Sequence, residues 1–107
     1  MLNENAKKWV AALRSGEYQQ CKDQLTDGRG YCCLGVGAAI SPGPRSKWEN
    51  EVALPKPVQQ WLGLRSSEGD YESGADYRRL SNLNDYGGKT FAQIADLIES
   101  EPEGLFA

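Results

Sequence analysis

Polar and apolar positions alternate along the chain with a helical period at both ends. Ala6, Trp9, Val10 and Leu13 recur at i, i+3, i+4 and i+7, with Lys7, Lys8 and Arg14 on the opposite side, which predicts an amphipathic helix over residues 5–15. Asn3 or Asn5 can cap it and Gly16 can supply the left-handed residue that stops it. Phe91, Ile94, Ala95 and Ile98 repeat the same face behind Thr90, a capping residue, and Pro102 ends that helix. Between them, residues 33–40 are apolar throughout and rich in Gly and Ala. Such a run fits a buried strand or a closely packed helix. The helix is preferred because small residues permit close backbone approach and Ser41-Pro42-Gly43-Pro44 stops the segment abruptly.

Residues 18–25 show no helical face and lead into the turn-rich Thr26-Asp27-Gly28-Arg29-Gly30, so a short β-hairpin is expected near 18–32. A loop follows over 41–53, with room for a short strand near Trp48 to Val52. After Leu54-Pro55 a brief helix places Val58, Trp61 and Leu62 on one face, closed by Gly63. Residues 65–76 are polar and read as a surface loop, and 78–83 as a short helix or turn before Asn84-Asp85-Tyr86-Gly87-Gly88. The expected architecture is α+β: a single domain over residues 1–107, mainly helical, with the first and last helices around 33–40 and a hairpin at one side.

Composition narrows the function. Twenty of the 107 residues are Leu, Ile, Val or Phe, a thin apolar supply that three Trp and five Tyr supplement. Histidine is absent, which removes the usual imidazole bases, nucleophile partners and metal ligands. Three cysteines and no imidazole do not make a structural zinc site, so neither metal nor cofactor is expected. A net charge of −3 argues against a binder of nucleic-acid polymers, but the charge is uneven: +3 over residues 1–47 and −6 over 48–107. A local anion site in the first half is therefore compatible with the balance. No apolar run is long enough to span a bilayer, and the N-terminus lacks a signal-peptide core, which makes the cytosol the expected compartment.

Five motifs carry candidate chemistry. Cys32-Cys33 invites a redox reading, although two small buried residues beside a turn explain the pair more simply. Gly28-Arg29-Gly30 and Gly35-Val36-Gly37 resemble pieces of phosphate loops, but neither completes the glycine fingerprint. Arg14 and Ser15, at a helix end leading into Tyr18 and Gln20, offer a guanidinium, a hydroxyl and free backbone groups to a phosphate or carboxylate; an ordinary helix stop is the plainer explanation. Asn84, Asp85 and Tyr86 put an amide, a carboxylate and a ring on one segment, suited either to a ribose and base or to closing a turn.

Taken in order, Trp9-Val10-x-Ala12-Leu13-Arg14-Ser15-Gly16-x-Tyr18-x-Gln20, Tyr31-Cys32-Cys33-Leu34-Gly35-Val36, Leu54-Pro55, Trp61-x-Gly63-Leu64 and Leu83-Asn84-Asp85 resemble a family of small tailed-phage and prophage proteins. Its signature reads "ALRSGxYxQ … CCLGV … LND". The resemblance implies a phage accessory protein working in the host bacterial cytosol. Small phage proteins of this kind include inhibitors of bacterial immunity that sequester a cyclic oligonucleotide or an ADP-ribose derivative. That leads to an expected anti-defence sponge, with no catalytic residue, in which Arg14, Ser15, Tyr18, Gln20, Asn84, Asp85 and Tyr86 hold a nucleotide-derived ligand. The site can be completed across a homo-oligomer interface. Two alternatives are a phage inhibitor docking on a host protein through acidic residues of 49–76 or 96–103, and a metal-independent nucleotide hydrolase or lyase with Asp85 as base and Arg14 as electrophile.

Overall fold

The computed structural model describes residues 2–107. Its helices are α1 (Glu4–Arg14), α2 (Cys33–Ile40), α3 (Lys56–Leu62), α4 (Leu80–Asp85) and α5 (Phe91–Glu99). A 3-10 turn covers Arg45–Lys47, and an antiparallel hairpin is formed by β1 (Asp70–Ser73) and β2 (Asp76–Arg79). The class is α+β, as the hydrophobic periodicity indicates.

Helix α1 forms where the pattern places it. Asn3 Oδ1 accepts from Ala6 N at 2.8 Å, and the same amide donates to Leu62 O, while Asn5 donates to Trp61 O. The capping side chains thus also tie the start of α1 to the end of α3. On the inner face Ala6, Trp9, Val10 and Leu13 are buried, and α1 packs against both α2 and α5. The indole of Trp9 donates to Cys33 O at 2.9 Å, which fixes the ring to the first turn of α2 and satisfies its polar edge. Thr90 and Gln93 complete a capping box on α5, whose Phe91, Ile94, Ala95 and Ile98 close the core from the other side.

The small residues of α2 have a specific use. A Cβ on Gly35 would lie 1.8 Å from Leu25 O, so the backbone of the preceding loop rests directly on the helix. This contact lets Cys32 N donate to Leu25 O at 3.1 Å and buries Leu25 completely.

The hairpin lies elsewhere than the sequence pattern suggests. In residues 18–32 the turn at Asp27 to Gly30 does form, with Asp27 Oδ1 accepting from Arg29 N and Gly30 N. The flanking segments do not zip into a ladder. Tyr31 instead makes isolated bridges, parallel to Gln20 on one side and antiparallel to Thr26 on the other. The expected strand near Trp48 is likewise replaced by the 3-10 helix and a following turn. The regular hairpin starts in the segment 65–76, read as a polar loop, and its second strand runs into residues 78 and 79, read as the start of a short helix or turn. There Gly74, at φ +62°, opens a two-residue turn between the paired residues Ser73 and Asp76, the geometry of a type II′ connection. Only Tyr71 of the hairpin is buried, so the alternation that marks a half-buried strand is nearly invisible.

The C-terminal segment returns to the core. Leu105 is fully buried, Arg65 N donates to Leu105 O, and Leu64 bridges Phe106.

Candidate functional site

The candidate residues from the sequence separate into distinct places. Asn84 and Asp85 lie on α4 rather than on a loop. Asn84 is 1% exposed, and its amide is fully used: Oδ1 accepts from Cys33 N at 3.1 Å and Gln20 Nε2 at 2.8 Å, while Nδ2 donates to Cys21 O at 2.8 Å and Asp85 Oδ1 at 2.9 Å. Asp85 Oδ1 also accepts from the backbone N of Asp23, which sits in the left-handed region at φ +69°. Gln20 Nε2 adds a bond to Lys89 O. Gln20, Asn84 and Asp85 therefore do come together, as a latch that holds the 19–24 loop and the start of α2 onto α4.

Arg14 goes to α5 instead. Its guanidinium pairs with Asp96 at 2.8 Å and with Glu99, and the Asp96 and Glu99 hydrogen bonds raise its pKa, so it remains a cation. Ser15 Oγ donates to Ala12 O and accepts from Glu17 N, the behaviour of a helix stop. Tyr86 is 80% exposed, and the carboxylate of Asp23 beside it raises its phenol pKa.

The cysteines are structural. Cys32 Sγ caps α2 by accepting from Gly35 N, and burial pushes its thiol up to about 12. Burial raises Cys33 well above its ordinary value too, and its Sγ faces Leu80 O. Neither is a ready thiolate at neutral pH.

Tyr18 leads to a different site. Its ring meets Tyr31 edge-on, with centroids 5.4 Å apart, and Tyr31 in turn leans on Trp48 at 6.3 Å. The Arg45 guanidinium lies 5.5 Å from the Tyr31 centroid and 5.3 Å from that of Trp48. It donates to Tyr31 OH at 2.8 Å, to Glu49 Oε2 at 3.2 Å and to Thr26 Oγ1 at 3.4 Å. Further guanidinium N–H groups have no protein acceptor among the described residues, and the side chain stays 44% exposed.

Arg45 separates two clefts. One, of about 250 Å³, is lined by Tyr18, Tyr31, Ala38, Ala39, Gly43 and Trp48; the other, of about 310 Å³, is lined by Thr26, Asp27, Gly28, Glu49 and Asn50 among others. Past Trp48 an apolar hollow of about 390 Å³ runs along Pro42, Pro44, Pro55 and Pro57, with Lys47 at its edge. A fixed cation, aromatic surfaces and an apolar extension thus share one face of the molecule. Sequence reasoning missed Tyr31, Arg45 and Trp48 as a set. The available signal was a basic Arg45-Ser46-Lys47 segment directly before a tryptophan in a proline-rich loop.

The family model for a domain of unknown function, DUF8296, matches residues 1–102. The chain belongs to the DUF8296 family. No curated protein and no solved structure matches it significantly. Because the match runs through α5, both the Asn84 latch and the Arg45 clefts of this DUF8296 domain lie inside the matched region. Among its described residues, no helix is long and apolar enough to cross a membrane.

Proposed function

We propose that this DUF8296 protein binds and sequesters a small nucleotide-derived molecule, and that the Arg45 clefts hold it. The observation carrying this reading is the Arg45 guanidinium, fixed against Tyr31 and Trp48 with unused N–H groups beside open space. Such a group meets a phosphate oxygen while the neighbouring rings and the proline-lined hollow receive a base or ribose face. Lys47 adds a second cation on the same 3-10 turn. Tyr18 keeps its assigned role. Arg14, Gln20, Asn84 and Asp85 become supports of the fold, since their polar groups are engaged within the chain. The resemblance to phage and prophage proteins supplies the setting: an anti-defence sponge for an immune signal in the host cytosol.

A hydrolase is favoured less, because Asp85, the candidate base, already accepts from Asn84 and Asp23. Isothermal titration of the purified protein with a cyclic dinucleotide, a cyclic trinucleotide and ADP-ribose tests the proposal. One compound is expected to bind, to be recovered chemically intact after heat denaturation, and to bind at least about tenfold more weakly to Arg45→Ala, the loss of a charge-assisted contact. Chemical alteration of the ligand, absence of binding to all three, or full affinity in Arg45→Ala would overturn it.

A further inference from the structure

The hairpin has an open edge. One side of β1 is covered, because Glu72 N donates to Glu103 O of the C-terminal segment at 2.7 Å. Among the described residues the sheet has two strands, and all four residues of β2 are exposed. Which backbone groups face outward follows from the register. Ser73 pairs with Asp76 across a two-residue turn, and Leu80 N donates to Gly69 O further along the same register. Residues 76, 78 and 80 therefore direct N–H and C=O toward β1, while Tyr77 and Arg79 direct theirs to the free edge. An uncovered strand edge of this kind is a template for another strand.

We propose that β2 pairs with β2 of a second copy of this chain, forming an antiparallel four-stranded sheet across a two-fold axis at Tyr77. The side-chain order selects both the occupant and the register. Antiparallel pairing requires outward-facing residues to meet outward-facing ones, so the registers centred within β2 are those at residue 76, 77, 78 or 79. Centring on 76 sets Asp76 against Asp76, centring on 78 sets Arg78 against Arg78, and centring on 79 sets Arg79 against Arg79; all three oppose like charges. Centring on 77 sets each Asp76 against Arg78 of the other copy, in the closely spaced non-hydrogen-bonded position, and pairs the Tyr77 backbones directly. Within one copy, Arg78 and Asp76 already pair along the strand at 3.4 Å, so both side chains lie on the same sheet face and can exchange partners without turning over. Arg79 is engaged by Asp70 and Glu68 of its own chain and does not compete.

The surroundings extend this contact. Tyr77 is 60% exposed, and beside it Leu83 and Tyr86 of the α4 end line a shallow depression with Asn82. An isologous arrangement brings two such depressions to the same interface. The contact is small, so a dissociation constant on the order of 10–100 μM is expected.

Sedimentation velocity over a concentration series, from about 5 μM to about 1 mM, tests the proposal against that weak affinity. The wild-type chain is expected to shift from monomer to dimer across the series. Tyr77→Pro removes an N–H that faces the partner and none that faces β1, so it should remain monomeric with its fold intact by circular dichroism. Asp76→Arg should also remain monomeric, and the double exchange Asp76→Arg with Arg78→Asp should restore the dimer by reversing the pair. A wild-type chain monomeric throughout, a Tyr77→Pro variant that still dimerises, or a double exchange that stays monomeric would each overturn the proposal.

Discussion

Gln20 Nε2 and Asn84 Oδ1 meet at 2.8 Å across 64 positions of chain, and through this contact the loop before α2 is bound to α4. The pairing explains why a segment with few apolar residues holds a fixed shape. Residues 19–24 supply little hydrophobic burial, so their backbone is secured by a buried amide and a neighbouring carboxylate instead. In the absence of a β ladder, this is how the polar groups of Cys21 and Cys33 find partners.

Asn84→Ala should therefore destabilise the protein strongly, by about 3 kcal/mol, because it strands the buried Cys33 N–H as well as removing its own bonds. Gln20→Ala, at the exposed rim of the same latch, should cost about 1 kcal/mol. Urea unfolding of both variants with unchanged m-values checks the order. An Asn84→Ala variant as stable as Gln20→Ala would show that the latch is not a source of stability.

Much of the fold was legible because long-period patterns encode buried faces. The i, i+3, i+4, i+7 positions of α1 and α5 are the buried ones, and Thr90 starts a helix and Gly63 stops one where their chemistry suggests. The hairpin was not, because it depends on a local turn at Gly74 and on tertiary support for one side chain, Tyr71, neither of which produces an alternating stripe. Asn84, Asp85 and Tyr86 fit reading a ligand and closing a turn equally well in sequence, while Gln20 belongs to the separate motif after Arg14; only the internal bonds of Asn84 decide between the readings and join Gln20 to it. Tyr31, Arg45 and Trp48 fall in separate segments joined by tertiary packing, so their convergence has no counterpart in sequence spacing.

Gly35→Ala should be severe. The new methyl would meet the Leu25 carbonyl at 1.8 Å, and a backbone neighbour cannot turn aside as a side chain can, so a loss of about 3 kcal/mol is expected. Gly16→Ala offers the matched comparison: its φ of +78° carries a conformational penalty of about 1 kcal/mol, yet no atom lies within 4 Å of the added carbon. Thermal unfolding should rank the two variants in that order. Equal losses would mean that the loop yields freely over α2.

Arg14→Ala separates the two candidate sites. The guanidinium joins α1 to α5 through exposed Asp96 and Glu99, so its removal should lower the melting temperature slightly in dilute buffer and less at about 0.5 M salt, where such pairs are screened. Binding of the nucleotide identified by titration should be unchanged, since Arg14 takes no part in the Arg45 clefts. If affinity instead falls as far as in Arg45→Ala, the ligand lies at the α1 terminus.

The cysteines provide a pH-dependent signature of the same packing. Burial pushes the Cys32 thiol up to about 12 and raises Cys33 well above its ordinary value, against 9.0 for a free thiol. The unfolded chain therefore loses these protons first as pH rises, and the stability contributed by keeping the thiols neutral is intact below 9.0 and declines between that value and about 12. Denaturant unfolding at pH 8, 9 and 10, about a unit either side of the free-thiol value, should give a falling midpoint only at the alkaline end, and Cys32→Ser with Cys33→Ala should flatten that fall. Thiol labelling gives the kinetic counterpart. Half-exposed Cys21 should react first in the folded protein, while Cys32 and Cys33 should wait for unfolding. Equal rates at all three sulfurs under native conditions would contradict the buried, N-capping role of Cys32 and the closed environment around α2.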